Sequence, residues 1–232
     1  MEKISETAEL VANRENLYLF LSRLYKMEVD QPLWDELKEM GFAAGYEEDD
    51  LNKGYREMEA YLHRPGPDSL NDLAIDYAKV FLGAGIYENG KAAYPYESVY
   101  TSPKKLIMQE ARDQVVGIYR ARGLDKAEIL DFPEDHIALE LEFMAYLCHE
   151  SQKALHSQER AEREKCFGEQ LDFITHHLLN WVPEFCADVE KFAETDFYRA
   201  VAKITRGYLC MEPALLDDLL SEAGREEVMA LS

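Results

Sequence analysis

The chain has 232 residues, 46 of them Asp or Glu against 25 Lys or Arg, which gives a formal charge of −21. That balance excludes a binder of phosphate backbones, which depends on clustered Lys and Arg, and a content of 47% hydrophobic and 11% aromatic residues excludes wholesale disorder. Apolar runs such as Leu17 to Leu21 are far short of the roughly 20 residues of a membrane helix.

The N-terminal residues from Met1 to Glu9 are acidic where a secretory signal is basic and then apolar, so a cytoplasmic protein is expected. Apolar residues at Leu10, Leu17, Phe20, Leu21 and Leu24 follow helical spacing and predict an amphipathic helix over residues 6–27. Asp30 followed by Pro32 reads as an N-cap with proline in the first turn, opening a short helix that Gly41 closes. A third helix is expected over 50–64, stopped by the proline and glycine cluster at 65–67, and a fourth over 70–82. Residues 83–102 then combine Gly83, Gly85, Gly90 and Pro95 with Tyr87, Tyr94, Tyr96 and Tyr100. This is a long aromatic loop, of a length that compact domains keep mainly for function. Helices resume over 103–122, break at Gly123, and return after Asp131 and Pro133 for a run to about Ser151. Further helices are expected over 159–181, 183–193 and 197–209, with a short piece after Pro213. No strand alternation interrupts them, so the fold class is all-α, with eight to ten helices.

Several chemistries fail on spacing. Cys148, Cys166, Cys186 and Cys210 are 18, 20 and 24 residues apart and form no CxxC pair, which argues against zinc and disulfides. Gly85 to Ala92 follows the phosphate-loop pattern GxxxxGK, but Ala92 stands where Ser or Thr would ligate magnesium, and no strand precedes it. None of the six histidines has Glu three residues before it, the spacing of di-iron bundles, and His149-Glu150 does not continue into HExxH. His176 and His177 are neighbours and read as ordinary surface or half-buried histidines. The segment from Pro133 to Met144 stands out. Pro133 and Asp135 suit a helix start, and His136 and Glu140 stand at i and i+4, able to pair on one face. A capped helix with a satisfied ion pair is one reading of it. A metal- or cofactor-binding helical protein or enzyme using Asp135, His136 and Glu140 is another.

The residues themselves carry a third reading. Asp135-His136 followed by Glu140-Leu141-Glu142-Phe143-Met144 resembles the signature of the TorD/DmsD/NarJ family of cytoplasmic chaperones for molybdopterin oxidoreductases. Tyr77-Ala-Lys-Val80-Phe81 is similar to the family's aromatic-x-x-Leu-Phe motif before a long loop, with Val80 in place of Leu. Pro95-Tyr96-Glu97-Ser98-Val99-Tyr100 resembles a second family segment, and the helix from Leu17 to Tyr25 agrees as well. Phe132 stands where many members have Glu, which leaves the subfamily open.

The resemblance implies a single all-helical domain over 1–232, a compact multi-helix bundle with its aromatic loop at 83–102, no enzymatic activity and no cofactor. It implies as partner the precursor of a molybdopterin oxidoreductase subunit of the DMSO/TMAO reductase type, held through its twin-arginine signal peptide until the cofactor is inserted. Tyr77, Phe81, Tyr94, Glu97, Asp135, His136 and Glu140 are the expected recognition region, and core packing is the rival reading for Tyr77 and Phe81. No nucleic acid and no membrane segment are expected, and the chain is expected as a monomer or homodimer.

Overall fold

The computed structural model describes residues 2–42, 44–64, 69–85, 92–157 and 160–230. The chain runs through α1 (Glu2–Lys26), α2 (Gln31–Met40), α3 (Asp50–Leu62), α4 (Ser69–Leu82), α5 (Glu97–Thr101), α6 (Glu110–Ala121), α7 (Ile137–Ser157) and α8 (Arg160–Phe173). A π turn (Ile174–Leu178) then leads into α9 (Leu179–Phe192), and α10 (Asp196–Ala230) follows. The fold is all-α, as the periodicity predicts. Among the described residues no helix is long and apolar enough to cross a membrane.

Local chemistry explains the early boundaries. The Asp30 side chain accepts from Leu33 N at 3.1 Å, Pro32 sits in the first turn, and Gly41 closes α2 at φ +64°. Asp49 caps α3 in the same way, accepting from Asn52 N at 2.8 Å. Two glycines set the approach of α3 to α10. A Cβ on Gly54 would lie 2.6 Å from Ile204 Cγ1, and one on Gly207 would collide with the backbone of Leu51, so these helices cross backbone to backbone. Elsewhere α1 packs along α7, and α8 and α9 lie against α10. Tyr18, Leu21 and Leu24 of α1, Leu141 and Met144 of α7, Trp181 and Phe185 of α9, and Phe197 and Tyr198 of α10 are among the fully enclosed core side chains.

Several expected boundaries move. Residues 103–109 form an exposed loop, with Lys105 and Met108 at positive φ, and α6 begins only at Glu110. The expected loop 83–102 ends in the short helix α5. The proline and glycine cluster at 65–67 and residues 86–91 of the GxxxxGK-like segment Gly85–Ala92 lie outside the described residues. The helix breaks expected at Pro183 and Pro213 do not occur. Pro183 lies inside α9 and Pro213 inside α10. An interior proline costs about 3 kcal/mol, and here the helix around each one is anchored by burial. Trp181, Val182, Phe185 and Cys186 flank Pro183, and Leu209, Glu212 and Leu216 flank Pro213, all fully buried. The widened turn preceding Pro183, in which Leu179 N–H donates to the Ile174 carbonyl, accommodates the change in hydrogen-bond register.

A charged pair is locked into the α1–α10 seam. Arg14 donates to Glu212 from Nε at 2.9 Å and from an η nitrogen at 2.5 Å, and Tyr18 donates to the same carboxylate at 2.6 Å. All three side chains are buried.

Candidate functional site

Two of the segments that carry the family resemblance, those at Pro95–Tyr100 and Asp135–Met144, clasp each other. Glu97 N donates to the Asp135 carbonyl at 3.0 Å and Ile137 N donates to the Pro95 carbonyl at 2.9 Å, an antiparallel bridge between Tyr96 and His136. Asp135 reinforces it with its side chain, whose Oδ2 accepts from Ser98 N at 2.9 Å. The helix-start role expected for Asp135 is thus played toward α5 and not toward its own helix α7. Asp135 is buried, and burial raises its carboxyl above the usual range.

His136 lies between two rings, edge to face with Tyr96 at 5.1 Å and tilted against Phe132 at 4.2 Å. Its Nδ1 accepts from Ala138 N at 3.1 Å, which places the proton of the neutral ring on Nε2. Burial, with a smaller contribution from Lys26, pushes its pKa down to about 3. The i, i+4 pairing with Glu140 does not form. Glu140 instead accepts from Trp181 Nε1 at 3.0 Å, while His177 Nδ1 sits 3.1 Å from Glu97 Oε2. Burial first, and the neighbouring Glu97 carboxyl second, hold the Glu140 carboxyl well above its ordinary value.

Asp135, His136 and Glu140 therefore bond to three different partners and do not converge as a ligand set. Among the described residues no group of three or more His, Cys, Asp or Glu side chains is placed to hold a metal ion.

Tyr77 and Phe81 lie elsewhere in the core. The Tyr77 hydroxyl donates to the Tyr25 carbonyl at 2.9 Å, and Phe81 meets Tyr25, Phe185 and Tyr198 with ring centroids 5.4 to 6.2 Å apart. Tyr94 has the most solvent-facing surface of the seven expected residues, at 41% exposure, and its ring covers Gly83. The other six are buried. They form the frame of the region, with Glu97, Asp135, His136 and Glu140 in one cluster and Tyr77 and Phe81 in another.

The sequence reasoning passed over His177 and Trp181, which complete the first cluster. It also missed Asp76, whose carboxylate accepts from Glu194 N at 3.0 Å and from Thr195 N and Oγ1 at 2.8 and 2.6 Å, tying α4 to the α9–α10 corner. The signal that points to His177 is the proline six residues downstream, since interior prolines accompany distorted turns, and such turns gather at functional sites.

A cleft of about 690 Å³ opens beside the cluster, between α6, α7, α8 and the π turn. Ile118, Phe143, Leu147 and Phe173 contribute its apolar surface, Arg122 pairs with Glu169 across its rim, and His177 borders it. The volume lies within the range of ligand-binding clefts. A second hollow of about 200 Å³, lined by Tyr119, Leu139 and Tyr146, shares Phe143 with it.

The family model described as nitrate reductase delta subunit matches residues 47–187 of the chain. The chain is 29% identical over 225 residues to the chaperone protein TorD of Vibrio cholerae serotype O1 (strain ATCC 39315), covering 94% of this chain and 99% of that protein. It is 26% identical over 209 residues to the chaperone protein TorD of Vibrio parahaemolyticus serotype O3:K6, covering 88% and 94%. Among solved structures, a proposed redox enzyme maturation protein from Archaeoglobus fulgidus superimposes with a TM-score of 0.49 at 20% identity, covering 84% of this chain and 93% of that one.

Proposed function

The chain belongs to the nitrate reductase delta subunit family and serves as a chaperone for molybdoenzymes, and we propose that it acts by binding the twin-arginine signal peptide of a molybdopterin oxidoreductase precursor in the cytoplasm. The client is of the DMSO/TMAO reductase type, and its apolar signal segment lies in the cleft bounded by Ile118, Phe143, Leu147 and Phe173. One observation carries the placement: the cleft is joined to the family signature by the bond between His177 and Glu97.

Magnitudes favour an apolar anchor over an ionic one. A micromolar complex needs about 8 kcal/mol, and an exposed Arg–carboxylate pair supplies about 0.2 to 1. Burial of apolar surface supplies about 25 cal/mol per Å², so roughly 300 Å² meets the need before ordering costs. The charge of −21 steers a positive n-region toward the chain and repels acidic competitors. In this reading Glu97, Asp135, His136 and Glu140 hold the wall of the site, Tyr77 and Phe81 hold the core behind it, and Tyr94 contacts the client directly.

Calorimetric titration of three peptides tests the reading: a native signal, one with both arginines replaced by Lys, and one with two or three apolar residues replaced by Ser. The lysine peptide should bind within about tenfold of the native one, and the serine peptide should lose more, at about 1.5 to 3 kcal/mol for each large apolar side chain no longer buried. The reverse order would place recognition on bidentate arginine contacts and remove the apolar anchor.

A further inference from the structure

The rim of the cleft carries an arginine–carboxylate pair of its own. α6 closes on Arg122, whose N–H donates to the Tyr119 carbonyl at 3.0 Å, and Gly123 follows at φ +70°, so the chain turns away and the Arg122 side chain leaves from a fixed corner. From there the guanidinium pairs with Glu169 on α8. The two side chains keep 23% and 34% of their surface exposed, so the pair is screened less than one fully in solvent. Three residues on, Asp172 lies on the same face of α8 and also lines the cleft. His176 donates from Nδ1 to the Asp172 backbone carbonyl at 2.9 Å, which leaves the carboxylate open. Among the described residues Asp172 takes part in no ion pair.

In a signal peptide the positive n-region runs directly into the apolar segment. With that segment against Ile118 and Phe173, the arginines reach the rim, where Glu169 and Asp172 are the carboxylates that the cleft lining offers. The two are not equally available. Asp172 is free, whereas Glu169 already holds a guanidinium of its own chain.

We infer that Arg122 is a built-in competitor for a client arginine at Glu169, and that it sets how far the chain distinguishes arginine from lysine in a signal. The inference rests on the peptide reading above. A client guanidinium that takes Glu169 breaks one arginine–carboxylate pair as it makes another, so the exchange gains little. A client ammonium is a point charge that cannot match the planar fork of Arg122, and it leaves the internal pair closed. Arginine and lysine signals therefore bind with similar affinity, both through the apolar segment. Without Arg122 the Glu169 carboxylate stands open, and two-pronged pairing favours arginine.

Calorimetric titration of a twin-arginine peptide and its twin-lysine counterpart tests this against the full-length wild type, Arg122→Met, Lys165→Met and the double variant Arg122→Met/Glu169→Gln. Circular dichroism confirms folding, and Arg122→Gln takes the place of Arg122→Met if the latter fails to fold. Arg122→Met should bind both peptides more tightly, and the ratio of arginine to lysine affinity should rise about threefold to fivefold, the worth of one partly exposed ion pair. Lys165 also lines the cleft and pairs with no carboxylate of the described residues. Lys165→Met thus removes the same charge from the rim without freeing Glu169, and both affinities should rise with their ratio unchanged. The double variant should return the ratio to its wild-type value. An unchanged ratio in Arg122→Met, an equal rise in Lys165→Met, or a ratio still raised in the double variant overturns the competitor role and leaves the peptide reading standing. No binding of either peptide to the wild type overturns the peptide reading and the inference with it.

Discussion

Replacing Asp135 separates the framing role of the signature from direct contact with a client. Asp135 Oδ2 accepts from Ser98 N at 2.9 Å inside a region closed to solvent. Asp135→Ala leaves that N–H buried and unpaired, which costs about 1 to 3 kcal/mol, in line with the loss of about 0.5 to 2 for a removed cap. Part of this is offset, because burial raises the Asp135 pKa and the ionised form is unfavourable in the fold. For a carboxyl raised in this way, stability is fully present below the unfolded value and falls as pH rises through the folded one. Asp135→Asn keeps an oxygen for Ser98 N without the charge, so at pH 7 it should match or exceed the wild type, and it should lose that advantage near pH 4. Urea unfolding at the two pH values, with the midpoint and slope both fitted, measures the effect. If Asp135→Ala unfolds as the wild type does while peptide affinity is lost, the capping role is wrong and Asp135 contacts the client itself.

Other consequences follow from the same geometry. Gly54→Ala drives a methyl into Ile204 and should cost about 1 to 3 kcal/mol by urea unfolding, with no direct effect on the cleft. Glu212→Gln or Arg14→Met alone should cost about 3 to 5 kcal/mol by leaving a buried partner uncompensated, whereas an apolar replacement of the pair should cost much less; a double-mutant cycle measures the difference. His136, held down to about 3 by burial, should show no imidazole titration by NMR between pH 5 and 8. Since the unfolded chain takes up that proton and the fold does not, stability should fall by up to about 1.4 kcal/mol per pH unit as pH drops from about 6.5 toward 3.

Helices were legible wherever capping and periodicity acted locally. Asp30 with Pro32 and Gly41 bound α2 as the spacing predicts, because the determinants lie within a few residues of the helix they control. Pro183 and Pro213 misled, because burial of Trp181, Phe185 and Leu216 by distant parts of the chain outweighs a local penalty that sequence alone displays. The segments of the site were legible through their resemblance to a family, but the bonds between them were not. His136 and Glu140 have helical spacing for an ion pair, yet each turns to a partner that only the tertiary fold delivers, Ala138 N in one case and Trp181 in the other. His177 is 80 residues from Glu97, and no local pattern joins them.

An apolar segment of a client signal lying in the cleft between α6, α7, α8 and the π turn must lose affinity when a charge is placed on the cleft wall. Ile118 lines that cleft and is only half-buried, so Ile118→Asp changes its surface without opening the core. Titration of a twin-arginine signal peptide against the wild type and Ile118→Asp, with circular dichroism to confirm equal folding, tests it most directly. Binding to the wild type and a loss of about tenfold or more in the variant, the equivalent of about 1.4 kcal/mol, are expected; equal affinity for the two would show that the peptide does not lie in this cleft.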